Sequence, residues 1–403
     1  MRNSVKTEEA RDIMLEACGK MPVETCPVAQ SYGRILAEDI TASVNVPSFD
    51  RSPFDGYAFR AEDTKGASVE NPAVLKIIEE IPAGFFPKET IRAGTAAKIL
   101  TGAPIPKGAD AVTKYEPTEF TEFQVKIFEQ FAVSDNIVHI GEDVCAGTEL
   151  IKSGEYIDGA VAATLAAQGL THISVYARPR AGIISTGTEL AEIDIPLSGG
   201  FIRDTNRYSL EGACLAAGAE PVYLGCAGDS VETIAALIDD GLKTCDVLFT
   251  TGGVSVGDYD LTPAALELLG GEILVRNISM RPGGTCVFGR RDGKLIFCLP
   301  GNPTSSMTCF YGAALPSLYK LCGKREFLLK KTCVLMDCEF NKVCPLDRLL
   351  RGKLKLEGGK VRFSPVMQGN VVLHSLIGCD AIAIIPAGSP PPSRGTALDA
   401  YLL

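Results

Sequence analysis

The stretch Asp246–Asp260, "DVLFTTGGVSVGDYD", joins a short apolar run to a glycine-rich loop. The run Asp246–Thr250 is too short for a helix and has three consecutive apolar residues at its centre, as a strand buried on both faces does. From Gly252 to Gly257 the loop has the G-x-x-x-x-G skeleton of a phosphate-cradling P-loop. Asp258 and Tyr259 stand where that motif requires Lys and then Ser or Thr, so it is not a P-loop, and alone it fits a plain turn equally well.

The surrounding sequence repeats the same alternation. Strand-like Ala181–Ser185 precedes helix-like Asn206–Ala217, and Pro221–Leu224 precedes Val231–Leu242. Asp246–Thr250 precedes Pro263–Leu269, and Leu295–Cys298 precedes Thr304–Cys322. Such alternation predicts βαβ units, and hence a central three-layer α/β domain with a mostly parallel sheet over 179–324. Residues 47–140 are punctuated by Pro and Gly, with β-like runs at Val74–Ile78, Ala97–Leu100 and Val125–Phe128, and read as a separate β-rich domain. Thr7–Lys20 reads as an amphipathic helix capped by Thr7, and Asp158–Gly169 also looks helical. Segments 1–46 and 141–178 are therefore expected to form a helical and linking domain. Leu328–Met336, Leu349–Leu356 and Ala381–Ile385 predict a C-terminal β-barrel-like domain over 325–403.

Composition narrows the function classes. The 403 residues are 46% hydrophobic and 22% charged, as in ordinary globular proteins. A formal net charge of −10 without a basic stretch argues against nucleic acid as a partner. No apolar run is long enough to cross a membrane, and acids occupy Met1–Lys20 where a signal peptide needs an apolar core, so a cytoplasmic chain is expected. The 14 cysteines form no C-x-x-C pair, and the 3 histidines are scattered, which predicts free thiols and no His/Cys zinc site.

In open α/β sheets, ligands sit beyond the carboxyl ends of the strands. Three strand ends here carry glycine and small hydroxyl residues: "TGTE" at Thr186, Gly187, Thr188 and Glu189; the opening loop; and "LPGNPTSS" from Leu299 to Ser306. Asn302 suits a helix N-cap and Pro303 the first helical position, a start that is also a ready anion site. Backbone amides of the opening loop are expected to hold phosphate oxygens. Asp260 or Asp258, completed by Glu189, would hold a divalent cation in place of the missing lysine.

The motifs "SPFDGYAF", "TGAPIPKGADAV", "GEDV", "ISTGTEL", "IRDTN", "TTGGVSVGDYD", "MRPGG" and "LPGNPTSS" occur in this order. With them the chain resembles the molybdopterin molybdenumtransferases of molybdenum cofactor synthesis, and is similar to the E domain of gephyrin. The resemblance implies a homodimer of four-domain subunits, its cleft lying between the α/β domain of one subunit and the "DGYA" domain of the other. It implies adenylylated molybdopterin and molybdate as substrates, with Mg²⁺-assisted release of AMP. The adenylyltransferase that makes the substrate and the apo-molybdoenzymes that receive the product are implied partners. Asp55, Thr101, Glu189, Asp229 and Asp260 match the family's functional polar positions. Of these, Glu189, Asp229 and Asp260 would serve Mg²⁺, and Thr101 would hydrogen-bond the substrate.

By the same match, Thr186, Gly187, Gly252, Gly253, Ser255, Gly257, Asn302 and Pro303 would line the substrate pocket, and Arg281 and Ser305 would sit near molybdate. "GDSVET" around Asp229 is also a good helix start. The family's usual "KPGKP" reads Arg281-Pro282-Gly283-Gly284-Thr285, so the second lysine is lost at Gly284. Val138, His139 and Ile140 replace the basic residues usual before "GED". These losses of positive charge leave tungstate as an alternative oxyanion, and a non-catalytic scaffold of the gephyrin type as an alternative role. A third alternative, the adenylyltransferase itself, is disfavoured by the flanking domains.

Overall fold

A computed structural model describes residues 2–254, 261–368 and 373–403. The chain divides into two compact units, one of Met1–Glu38, Ser153–Ala162 and His172–Leu403, the other of Asp39–Lys152 and Ala163–Thr171.

The first unit is built on a seven-stranded sheet ordered Arg2–Val5, Glu272–Ile278, Val287–Arg291, Lys294–Leu299, Val247–Thr251, Arg180–Thr186 and Glu220–Ala227. Only Val287–Arg291 runs antiparallel to its neighbours; all other pairings are parallel. The expected mostly parallel sheet is therefore present, and its interior strands read as continuous apolar runs because both faces are covered. Phe249 and Phe297 stack on one face with centroids 5.3 Å apart, joined by Phe288, Leu210 and Phe310. Their chain neighbours Leu248 and Ile296 point to the other face and pack with Ile234, Ile238 and Leu266.

Arg2–Val5 forms the outer strand of this sheet, pairing in parallel with Glu272–Ile278. The helix after it spans Thr7–Glu16, shorter than the sequence suggests. Lys6 occupies its N-cap without a side-chain bond, while Thr7 is buried in the first turn with its hydroxyl 3.6 Å from Met280 Sδ. The expected helix Thr304–Cys322 is continuous from Pro303 to Leu321 but contains a π-helical turn at Phe310–Ala314. Pro316 explains the irregularity, since it has no N–H for the carbonyl four residues back.

After this helix the chain forms a five-stranded barrel of Asp347–Glu357, Lys360–Pro365, Lys331–Met336, Ala397–Leu402 and Ala381–Ile385, closed where the last strand pairs again with the first. Met280–Arg281 adds to it in parallel, setting Arg281 opposite Arg348.

The second unit holds a curled six-stranded sheet ordered Ala111–Lys114, Gly56–Phe59, Thr95–Ile99, Ala73–Ile81, Gln124–Ile127 and Thr118–Phe120. Its two faces bury separate clusters, one around Phe59 and Leu75 and one around Ile81 and Ile99.

The stacked phenylalanines make the first unit's core sensitive to truncation. Phe297→Ala is expected to cost about 3–5 kcal/mol, the usual range for emptying a buried aromatic site. Urea unfolding followed by circular dichroism checks this; a midpoint equal to wild type would remove Phe297 from the core.

Candidate active site

Strand order places a topological switch point between Arg180–Thr186 and Val247–Thr251. Within this sheet, the next strand in sequence after Arg180–Thr186, Glu220–Ala227, lies on one side of it, and the one after that, Val247–Thr251, on the other. Crevices at such points are the usual ligand sites of open α/β sheets. A cleft of about 520 Å³ opens here. Thr186, Gly187, Glu189, Asp229, Gly252, Gly253 and Asn302, all singled out in the sequence, line it together.

The glycines are needed for space. Gly252 has φ +91°, and a Cβ there would lie 2.5 Å from Thr186 Oγ1. Gly301 approaches the same residue, its hypothetical Cβ 3.4 Å from Gly252 Cα. Gly187 has φ +138°, and a Cβ on it would lie 2.5 Å from the Glu189 carboxylate. Their amides are already used, Gly252 N–H donating to the Leu299 carbonyl at 3.1 Å and Gly187 N–H to Ala227 at 3.1 Å. These two residues therefore shape the cleft rather than offer amides to a ligand. Thr262 closes the base of the loop, its N–H donating to Gly253 O at 3.1 Å and its hydroxyl to Gly252 O at 3.2 Å. Ser255, Gly257, Asp258 and Asp260 lie outside the described residues.

The acids are held from different elements. Asp229 accepts a hydrogen bond from the Thr188 hydroxyl at 3.0 Å. Its neighbour Ser230, not Asp229, caps the helix Val231–Thr244 by accepting from Thr233 N–H at 3.2 Å. That division leaves the Asp229 carboxylate on the cleft wall. Across the cleft, Asn302 caps the helix begun by Pro303, accepting from Ser305 N–H at 3.1 Å and from the Thr304 hydroxyl at 2.9 Å. Among the described residues no three His, Cys, Asp or Glu side chains converge as a ready metal cage.

Asn206 also lines the cleft, donating from Nδ2 to the Gly301 carbonyl at 2.8 Å and so tying two loops together. Neither it nor Asp204 was among the sequence candidates, although both belong to "IRDTN". Asp204 caps Thr205–Ala217 through Arg207 N–H at 3.2 Å.

Arg281 and Ser305 line an adjoining depression of about 510 Å³, which shares Thr285 with the cleft. Gly283 is left-handed, and a Cβ on it would lie 2.7 Å from the Ser305 carbonyl. A Cβ on Gly284 would collide with the carbonyls of Ile278 and Met280, so this backbone has no room for a lysine at that position. Two arginines missed in the sequence stand nearby. Arg348 lies beside Arg281 in register, and Arg351 is 2% exposed with Nη1 3.5 Å from Thr308 Oγ1. Burial, with the Arg348 charge as a further contribution, holds the Arg351 pKa below its ordinary value. Neither guanidinium has a carboxylate within ion-pairing distance among the described residues. The sequence offers no cue for them, since the strand Asp347–Glu357 also carries Asp347, Lys353, Lys355 and Glu357, and they become legible only once the register is known.

Asp55 and Thr101 form a separate arrangement in the second unit. Thr101 donates to one Asp55 oxygen from both its N–H and its hydroxyl, each at 2.6 Å. The side-chain bond and then the backbone bond lower the Asp55 pKa. A lowered carboxylate stabilises the fold above its unfolded pKa and loses that contribution as pH falls through the folded value.

Two measurements follow from this geometry. Thr101→Ala is expected to return the Asp55 titration upward toward an ordinary aspartate, read from carboxyl NMR shifts; an unmoved titration would contradict the bonding described. Ser230→Ala is expected to cost about 1 kcal/mol in chemical denaturation, whereas Asp229→Ala should leave the helix cap intact.

Comparison with known proteins agrees with the fold. The model for the MoeA N-terminal region (domain I and II) matches residues 5–169, and that for a probable molybdopterin binding domain matches residues 182–320. Molybdopterin molybdenumtransferase of Bacillus subtilis (strain 168) is 36% identical over 391 residues, covering 94% of this chain and 90% of that protein. The Staphylococcus epidermidis protein of the same name is 35% identical over 379 residues, covering 93% and 89%. The crystal structure of a molybdopterin biosynthesis MoeA protein from Pyrococcus horikoshii superposes with a TM-score of 0.83 at 33% identity, covering 99% of both chains. The chain therefore belongs to the molybdopterin molybdenumtransferase (MoeA) family.

Proposed function

We propose that this protein is a molybdopterin molybdenumtransferase, transferring molybdenum from molybdate to adenylylated molybdopterin with release of AMP. The observation that carries the proposal is the division of charge between two adjoining cavities. Glu189 and Asp229 face the glycine-lined cleft, whereas Arg281, beside Arg348, faces the depression that shares Thr285 with it. A phosphoanhydride with its metal ion suits the acidic side, and a tetrahedral oxyanion suits the basic side.

The carboxylates of Glu189 and Asp229 are hard oxygen donors of the kind that hold Mg²⁺, with Asp260 the third member expected from the sequence. Bound there, Mg²⁺ would neutralise anhydride oxygens and make AMP a better leaving group. This chain's own groups do the positioning. The helix start at Asn302 favours negative charge at the cleft floor. The Thr188 hydroxyl fixes the Asp229 carboxylate. Arg281 would draw molybdate as a planar fork rather than a point charge. Arg348 and Arg351 supply nearby positive charge that the chain does not carry at Gly284. The presence of both Glu189 and Asp229 in the lining of the cleft favours catalysis over a scaffold role.

The proposal includes a homodimer, as the resemblance implies, and a cytoplasmic location, as the sequence composition suggests; light scattering after size exclusion tests the dimer. No helix among the described residues is long and apolar enough to cross a membrane.

Purified protein given adenylylated molybdopterin, molybdate and Mg²⁺ is expected to release AMP and yield active cofactor. Glu189→Gln and Asp229→Asn should each slow AMP release by on the order of 10²-fold, and Arg281→Ala should raise the molybdate KM about tenfold. AMP release unchanged in both acid variants would overturn the assignment of the cleft.

A further inference from the structure

Beside the cleft lies a second, smaller cavity of about 330 Å³ that the proposed chemistry does not use, although Leu190 and Asp204 of the quoted motifs line it. Its walls include Leu190, Ile195, Pro196 and Phe201, and Asp204, Tyr223 and Cys226 also line it. We infer that this pocket binds a flat, amine-bearing heterocycle belonging to the same ligand whose phosphates occupy the cleft. The inference rests on the substrate reading above and extends it to a recognition subsite.

The polar lining selects for hydrogen-bond donors. Asp204 is 8% exposed and has no Lys, Arg or His within ion-pairing distance among the described residues. One of its oxygens accepts from Arg207 N–H at 3.2 Å and the other from the Ser185 hydroxyl. Each oxygen retains a further lone pair. A buried carboxylate without a cation is costly unless further donors reach it. Burial first, and Asp204 next, push the Tyr223 phenol up to about 12 and the Cys226 thiol up to about 11, so both stay protonated at neutral pH. Glu192 at the rim is paired with Arg207 at 3.3 Å. A phosphate group would be repelled by such a lining, whereas an apolar ring with N–H groups on one edge would be matched.

Continuity with the cleft argues for one spanning ligand. Leu190 lines both cavities. Along a single strand and helix start, Ile202 and Asn206 line the cleft while Asp204 between them lines the pocket. Arg207 lies 3.8 Å from the Tyr223 ring centroid, covering one face of that ring and bracing it. The volume falls in the range of ordinary small-ligand pockets. Adenylylated pterin carries two groups of the required chemistry, the 2-amino edge of the pterin and the 6-amino edge of adenine.

Calorimetry on the full-length protein distinguishes them, using AMP, IMP, ribose 5-phosphate and 6,7-dimethylpterin as probes. If adenine is the occupant, AMP binds at least about tenfold more tightly than ribose 5-phosphate and IMP. If the pterin is, dimethylpterin binds saturably and AMP gains nothing over ribose 5-phosphate. In either case Cys226→Phe, which fills the pocket, and Ser198→Phe, at its exposed mouth, abolish the heterocycle's gain and leave ribose 5-phosphate affinity unchanged. Circular dichroism verifies that both variants fold. The inference is overturned if neither heterocycle adds affinity, if AMP gains over ribose 5-phosphate but matches IMP, or if the gain survives both substitutions. AMP release from adenylylated molybdopterin is followed in parallel. Release by wild type without a heterocycle gain removes the pocket alone, and a gain without release removes the proposed reaction alone.

Discussion

The close approach of three strand-end loops at the switch point is the constraint on which the cleft depends. Gly252 sits against Thr186 and beside Gly301, with no space for a side chain at the first contact. Backbone meets backbone because glycine follows each strand within two residues, and the polar side chains then come from residues one or two positions further along. Glu189 follows Gly187, Asn302 follows Gly301, and Asp229 arrives from the neighbouring strand. Filling the contact at Gly252 would spread the loops and displace these groups together.

Charge is sorted around that contact rather than averaged. Acids line the cleft, while Arg281 lines the depression beside it with Arg348 in register next to it. The chain as a whole carries a net charge of −10, so positive potential for an oxyanion has to be local. Gly284 shows why replacement at the same position is not open to this backbone, since two carbonyls occupy the space of a side chain. The arginines of the barrel strand lie close by through tertiary folding, about 70 residues later in sequence.

The second unit orders its own polar pair without help from that sheet. Asp55 and Thr101 are 46 residues apart, yet two hydrogen bonds to a single oxygen hold them together. Gly56 follows directly and packs where a Cβ would strike the Thr113 carbonyl, so the turn carrying Asp55 admits one backbone course. Here too, a glycine with no room for a side chain positions the acid next to it.

The sequence by itself determined the α/β pattern, the barrel-like C-terminal region and several of the residues that line the cleft. Each rests on local chemistry: continuous apolar runs for buried strands, glycine at strand ends, Asn-Pro at a helix start. Tertiary structure alone decided which neighbours do which work. Ser230 rather than Asp229 caps its helix, because the cap is chosen by backbone dihedrals that adjacent polar residues compete to fill. Thr7 enters the first turn instead of capping it, because the strand before it joins the sheet. Arg348 and Arg351 acquire meaning only through strand register, which depends on pairings between residues far apart in sequence. The role of Asp204 likewise appears only when the fold buries its carboxylate beside the smaller pocket, with no cation within ion-pairing distance among the described residues.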